Sequence, residues 1–463
     1  MINLAPLFFP EAEEASYEIS EIEGRLPEWL RGSHYVNGPA RFERAGMRYK
    51  HWLDGDGMVC RLSFGGVGAD FASRYVRAPK VVDEDAAGRF LYRGFGTAFE
   101  GDKLRRGLML EPPINVSAYP FAGELLAFGE QSLPYRLDPI TLQTLGEADF
   151  KGSLNEITPF SAHPKFDPRT GGIAGFGVAF SSRRPTLNLF EFGPAGDLKR
   201  RRRHRLDAAY SLHDCAISEH AAVFHLGPLL MDFGRFQAKG VSVLDALSWE
   251  PERGSRLLVF PRGDGEAFEV SAGNAYCLHL INAWEQGRRL NVDLIETSEP
   301  LYPHYTPLDS MFQTVPPGAP VRLSIDLDSK KLVERHEISY SGAPDFPAHD
   351  PNLTGARCDE FWMLGISRVG EEGPKFFDEL LRGDFAAGEL TNFRLPVGEY
   401  FGGEPAPVYH EGEVAVIVQW FRPAVNEAAY WVFDGRRFGQ GPVARLPLRS
   451  RITPGFHSSW RGE

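Results

Sequence analysis

Imidazole ligates first-row divalent metals as a neutral group, and four of the 13 histidines stand in surroundings that set them apart. The contexts are Ser161-Ala162-His163-Pro164-Lys165-Phe166-Asp167-Pro168, Leu212-His213-Asp214-Cys215, Leu278-His279-Leu280-Ile281-Asn282-Ala283-Trp284-Glu285 and Gly455-Phe456-His457-Ser458-Ser459-Trp460. Any one of these alone is more often a packed or surface histidine than a ligand. Their separations exclude a zinc finger or a helical HExxH pair, whose ligands lie within one short motif. As a set they do metal chemistry only if the fold brings four distant segments to one point. His34, His204, His220, His225, His304, His336, His349 and His410 lack such surroundings and read as surface or packed side chains.

The last histidine, His51, opens a dense stretch at residues 51–59, HWLDGDGMV. Asp-Gly is a strong hairpin signal because Gly reaches positive φ without a Cβ clash. Asp54-Gly55 and Asp56-Gly57 in succession are more than one turn requires. The plain reading is a hairpin tip beside a buried Trp52.

The elements that would have to position these residues read as β. The 49 Gly, 35 Pro and 34 Phe, spread along the chain, suit many short strands joined by tight turns with aromatic residues between sheets. A strand, an Asp- or Gly-containing turn and a second strand recur at residues 135–145, 189–198, 323–333 and 431–438. Dispersed hairpins of this kind are what a β-propeller shows, whereas a sandwich of this length would use fewer, longer strands. Ligands from separate blades of a propeller converge on its central axis. No linker or low-complexity tract divides the chain, so one domain over residues 1–463 is expected, with 1–33 as an extension packed on it. That extension begins with the exposed-looking Leu7-Phe8-Phe9-Pro10 and alternates like a strand over residues 17–24. Pro27 and Gly32 bracket an expected short helix, residues 36–39 read as a turn, and residues 375–381 have helical spacing. Residues 241–249 suit a turn or two of helix.

The net charge of −12 argues against a nucleic-acid partner, and the basic run 199–203 with Arg205 reads as a solvated strand face. Cys60, Cys215, Cys277 and Cys358 have no metal or disulfide spacing and read as small buried hydrophobes in a reducing compartment. Nothing resembles a secretion signal or a bilayer-spanning run, so a cytoplasmic protein is expected. Residues 226–239 have two readings: a buried wall of the core, or an apolar patch flanked by Arg235 and Lys239 in peripheral contact with a membrane.

The sequence HWLDGDGM at residues 51–58 resembles the HWFDGDGM signature of the carotenoid cleavage oxygenases, an alkene-cleaving iron family, with Leu53 where Phe is usual. The four histidine contexts are similar to that family's in order and separation, so the resemblance spans residues 21–460. It implies an all-β, seven-bladed propeller capped by loops and short helices over an iron site. One Fe(II) per chain would be held by His163, His213, His279 and His457. Four neutral ligands leave two of six octahedral positions for dioxygen or solvent. A metal-bound imidazole usually donates its other N–H to a carboxylate. The family uses three glutamates for this; Glu130 and Glu404 match two, and Asp345 stands at the third. Asp is one methylene shorter, so either the backbone moves inward or a water bridges. No general base is implied.

Members that cleave hydroxylated stilbenes and phenylpropenes anchor the phenol with a Lys and a Tyr. The matching positions here are Gly129 and Ala98, which points to an apolar polyene, a carotenoid or apocarotenoid, walled by Phe95, Phe99 and Phe312. Val116 matches a Thr found near the sixth metal position in many members, and also resembles the retinoid isomerase branch. The expected partners are the apolar substrate and O₂, with no obligate protein partner, and the expected reaction cleaves one C=C bond into two carbonyls. Stilbene or phenylpropene cleavage, a retinoid-type isomerase using the metal as Lewis acid, and a metal-free binding propeller stay open.

Overall fold

Seven antiparallel sheets of four or five strands succeed one another in the computed structural model, which describes residues 3–9, 11–65, 68–156, 159–179 and 184–463. They form a seven-bladed β-propeller. The innermost strands are Ser458–Gly462, Ser117–Phe121, Lys165–Asp167, Ala216–Ile217, Leu280–Gln286, Ala343–Ala348 and Tyr400–His410 in blades 1 to 7. Blade 1 closes the ring from both chain ends: Arg31–Arg41, Asp56–Gly65 and Ala69–Tyr75 lie between Ser458–Gly462 inside and Ala15–Ile19 outside. Residues 1–33 also lend Glu23–Gly24 to the outer edge of blade 7.

Position within a blade dictates composition. A middle strand is covered on both faces by neighbouring blades, so Glu413–Arg422 is buried except at its two ends. An outermost strand faces water, and Lys331–Glu337 is exposed along most of its length. The basic run lies on such an edge, Leu198–Arg205, where like charges discourage strand addition. Arg202 also donates to the carbonyls of Gly263 and Gly265, at 2.6 and 2.5 Å, fastening blade 3 to a turn of blade 4. All four cysteines are buried and free.

Several local expectations are corrected. Leu7 and Phe8 are buried, in the helix Ala5–Phe8; Phe8 packs edge-on to Phe42 and Trp52. Pro10 lies outside the described residues. Pro27 to Leu30 makes a single turn rather than a helix, because Trp29 stacks on the His410 ring and Arg31 already begins a strand. Residues 36–39 belong to that strand. Residues 375–378 are irregular and Glu379–Asp384 is a strand; pairing with Glu360–Ile366 and Glu389–Arg394 overrides the helical spacing. Residues 241–249 give a short 3₁₀ turn, Leu244–Ala246, and then the strand Leu247–Trp249. The fourth hairpin copy ends in a 3₁₀ turn at Phe438–Gln440 instead of a strand. In 226–239, Leu226, Leu229 and Phe236 are buried, and Arg93 ties the segment down through the carbonyls of Phe236 and Ala238. The wall reading therefore fits residues 226–229, whereas 231–239, Phe236 apart, are exposed or half-exposed. Among the described residues no helix is long and apolar enough to cross a membrane.

The 51–59 stretch is not a hairpin tip. Residues 52–54 form a 3₁₀ turn, and Asp56 starts a strand of blade 1. Neither glycine has positive φ; both are places of close approach. A Cβ on Gly57 would lie 2.0 Å from the Ile114 carbonyl oxygen, and one on Gly55 would lie 2.6 Å from the Phe42 ring. Asp56, fully buried, meets Lys80 Nζ at 2.6 Å and Arg44 at 2.7 Å, while Lys80 also bonds Glu84 at 3.0 Å. Burial would raise the Asp56 carboxyl, but Lys80 and Arg44 hold it below its ordinary 3.8. Depression in the folded state means this stability is complete above the unfolded-state value and is lost as pH falls through the folded one. Removing one partner of a buried pair costs about 3–5 kcal/mol. Lys80→Met is expected to lower the free energy of urea unfolding by that amount at neutral pH. A loss below about 1 kcal/mol, the value of a surface pair, would contradict this role.

Candidate metal centre

Each of the four singled-out histidines sits at the entrance to an innermost strand. His279 and His457 directly precede Leu280–Gln286 and Ser458–Gly462; His163 and His213 stand shortly before Lys165–Asp167 and Ala216–Ile217. Four blades thus deliver one imidazole each to the same end of the axis. The ligand atoms all lie within 4.8 Å of one another and all four residues are buried, a group that could hold one metal ion. His163 Nε2 lies 2.9 Å from His213 Nε2, which lies 3.2 Å from His279 Nε2. Val116 takes the corresponding place in blade 2, directly before Ser117–Phe121, and its carbonyl accepts from the His457 N–H at 3.1 Å.

Serines from one blade hold the histidine segment of the next. Ser117 Oγ donates to the Ala162 carbonyl at 2.5 Å, and Ser161 Oγ to the His213 carbonyl at 3.0 Å. The 455–457 segment is held on both sides, by Asn37 and by the Gly403 and Glu404 amides.

Three carboxylates face the Nδ1 side of the rings. Asp345 Oδ1 is 2.5 Å from His279 Nδ1, and Glu404 Oε2 is 3.1 Å from His457 Nδ1. Both acids sit at register breaks of innermost strands: Phe346 after Asp345 has φ 55°, and Gly403 before Glu404 has φ 70°. At its bulge the shorter Asp345 side chain reaches the imidazole directly, with no bridging group between them. Asp345 also accepts from the Phe346 amide at 2.9 Å and from the Tyr305 hydroxyl at 3.3 Å. Glu130 Oε2 is 2.8 Å from His213 Nδ1 but off the N–H direction, and its side chain is 37% exposed.

Electrostatics separate the four rings. Burial and the three neighbouring imidazoles drive His163 well below its usual pKa, and burial lowers His457 although Glu404 opposes it; neutral rings are the state in which imidazole ligates. Burial pushes His279 down, but Asp345 carries it above its usual value, and His279 in turn holds the buried Asp345 below the ordinary carboxylate range.

A cavity of about 290 Å³ is lined by Leu229, Leu244, Leu247, Trp249, Pro300, Tyr302 and Pro303, with the paired Glu299 and His304 as its polar members. The Tyr302 ring lies 6.3 Å from the His213 ring, so this tyrosine has the cavity on one side and the metal centre on the other. Phe95 stands behind the wall: its ring is 5.1 Å from Tyr302 and its carbonyl accepts from Leu244. Phe99 is half-buried. Phe312 is buried elsewhere, against Tyr305, Phe376 and Phe377. Neither Phe99 nor Phe312 lines this cavity. Gly129 and Ala98 offer no polar side chain, and a Cβ at Gly129 would lie 3.1 Å from Ser132 Oγ.

Reading the sequence did not single out Tyr302 and Trp249, which no spacing marks, or Asp214 and Lys165. The last two lie inside the quoted histidine contexts, where opposite charges beside two ligands were the available signal.

Known proteins resemble this chain over nearly its whole length. The family described as Retinal pigment epithelial membrane protein matches residues 8–462. The chain is 29% identical over 474 residues to the apocarotenoid-15,15'-oxygenase of Synechocystis, covering 97% of this chain and 94% of that protein. It is 28% identical over 478 residues to the isoeugenol monooxygenase of Pseudomonas nitroreducens, covering 99% and 97%. The crystal structure of cobalt-substituted Synechocystis ACO superposes with a TM-score of 0.90 at 25% identity, covering 99% of this chain and 98% of that one.

Proposed function

Because the chain belongs to the retinal pigment epithelial membrane protein family, that of the carotenoid cleavage oxygenases, we propose that this oxygenase uses Fe(II) and O₂ to cleave one C=C bond of an apolar polyene, a carotenoid or apocarotenoid, into two carbonyl products. The observation that carries the reading is a four-imidazole cluster linked through Tyr302 to a largely apolar cavity. The donor set fits the metal: imidazole suits ferrous iron, and carboxylates behind three rings balance its charge further out. His163, His213, His279 and His457 would hold it. Bound iron would supply the redox chemistry by which both oxygen atoms of O₂ enter the alkene as two C=O bonds replace one C=C bond.

The chain itself binds, orients and keeps the site dry. Leu229, Leu244, Leu247 and Trp249 offer a polyene an apolar surface, beside the mutually paired Glu299 and His304, and about 290 Å³ accommodates one end of it. Tyr302 and Phe95 set how closely the chain of double bonds passes the cluster. Val116 is buried in an apolar cluster with Phe128, Phe160 and Ala162, the residue before His163. No proton moves in the balanced reaction, which matches the absence of a role for a general base.

The test is product analysis after incubation of iron-loaded protein with a panel of carotenoids, apocarotenoids, stilbenes and phenylpropenes under ¹⁸O₂. Two aldehydes or ketones from a polyene, labelled from O₂, are expected. Cleavage of phenolic substrates alone would move the reading to the second substrate class, to which the isoeugenol monooxygenase belongs. An isomerised alcohol that carries oxygen from water, with no carbonyl pair formed, would replace it with an isomerohydrolase.

A further inference from the structure

Asp214, only 4% exposed, is bonded into the segments that carry three of the four histidines. It directly follows His213. Its Oδ2 accepts from the N–H of Leu280, the residue after His279, at 2.8 Å. Its Oδ1 accepts from the Cys215 N–H at 2.7 Å and lies 2.8 Å from Nζ of Lys165, two residues beyond His163. One carboxylate therefore spans blades 3, 4 and 5 at the level of the cluster. The same Oδ1 stands 3.8 Å from His163 Nδ1, beyond hydrogen-bond reach. With Glu130, Asp345 and Glu404 opposite the other three, every imidazole has an acid on its Nδ1 side.

We propose that Asp214 is a positioning residue that sets the spacing of His163, His213 and His279 before a metal arrives, an inference that rests on the four-histidine metal site. Both carboxylate oxygens are needed. Oδ2 serves one peptide N–H, and Oδ1 serves another together with an ammonium. An asparagine of the same shape has one acceptor oxygen, so whichever way its amide turns, an NH₂ group faces the N–H of Leu280 or of Cys215. Lys165 holds the carboxylate from the third side and neutralises it, so that the clamp adds no net charge to the centre.

The experiment is anaerobic titration of the full-length protein with Fe(II) against a competing chelator, for the unaltered chain, Asp214→Asn, Lys165→Met and Asp293→Asn. Asp293 is a fully buried acid of blade 5 paired with Arg322 at 2.6 Å, and serves as the structural control. Asp214→Asn is expected to weaken Fe(II) binding about 10–100-fold, the effect of losing a partner behind a metal ligand. Lys165→Met should do so less, because both peptide bonds to Asp214 survive. Asp293→Asn should lower the melting temperature and leave Fe(II) affinity unchanged. Should Asp214→Asn not fold, amide exchange decides on the unaltered metal-free protein: Leu280 and Cys215 are expected to be protected already. Fe(II) affinity in Asp214→Asn equal to that of the unaltered chain, or fast exchange of the Leu280 amide without metal, would overturn the proposal. Failure of the unaltered chain to bind Fe(II) would instead remove the metal reading on which it rests.

Discussion

His163→Ala is expected to yield a folded propeller that retains no iron and cleaves no alkene above the level of metal-free protein. His163 is the ring most enclosed by the others, with centroids 4.3 Å from His457, 4.4 Å from His213 and 5.4 Å from His279. Removing it leaves three neutral donors and opens a space through which water reaches the metal. The fold should survive, because the ring faces the axis and the blades are held by their own cores; truncating even a large buried aromatic costs about 3–5 kcal/mol. Iron content, oxygen uptake and circular dichroism measured on one preparation separate loss of metal from loss of fold. Added imidazole fits the vacated space and should restore part of the iron content. Wild-type turnover in this variant would mean that the cluster is not the reactive centre.

The second large effect is expected at Asp345. Asp345→Asn keeps the shape and the bond to the Phe346 amide but removes the charge 2.5 Å from His279 Nδ1. Loss of such a partner typically costs 10–100-fold in metal affinity or activity, and a decrease of about that size in kcat/KM is expected, with Fe(II) affinity falling in parallel. Asp345→Glu should not rescue it. The register break already brings the shorter acid into contact, so an added methylene has to be accommodated among Phe346, Tyr305 and the His279 ring. Full activity in the glutamate variant together with loss in the asparagine variant would show that charge alone matters. Unchanged kinetics in both would take Asp345 out of the site.

What could be read in advance follows from which physical signals are local. Hairpins with Asp or Gly turns are local, and three of the four copies at 135–145, 189–198 and 323–333 are paired strands. The histidine contexts are local too, and the propeller turns sequence distance into a spacing of a few ångströms because four innermost strands are entered beside one point. The glycines of 51–59 misled because a requirement for close approach leaves the same letters as a requirement for positive φ. Residues 375–381 misled because two flanking strands supply more than the helical spacing of four apolar side chains. Tyr302 acts through neighbours from other blades, and no local pattern carries that information; for Asp214 the charges beside His163 and His213 were a local signal, but its bond to the Leu280 amide of another blade was not.

The most direct measurement is anomalous diffraction at the iron edge from crystals of protein reconstituted with Fe(II) without oxygen. A single strong peak on the propeller axis, in contact with one ring nitrogen each of His163, His213, His279 and His457, is the predicted result, and it should vanish in His163→Ala. No peak at that point, or a peak held by other side chains, would contradict the assignment of these four histidines as the metal centre.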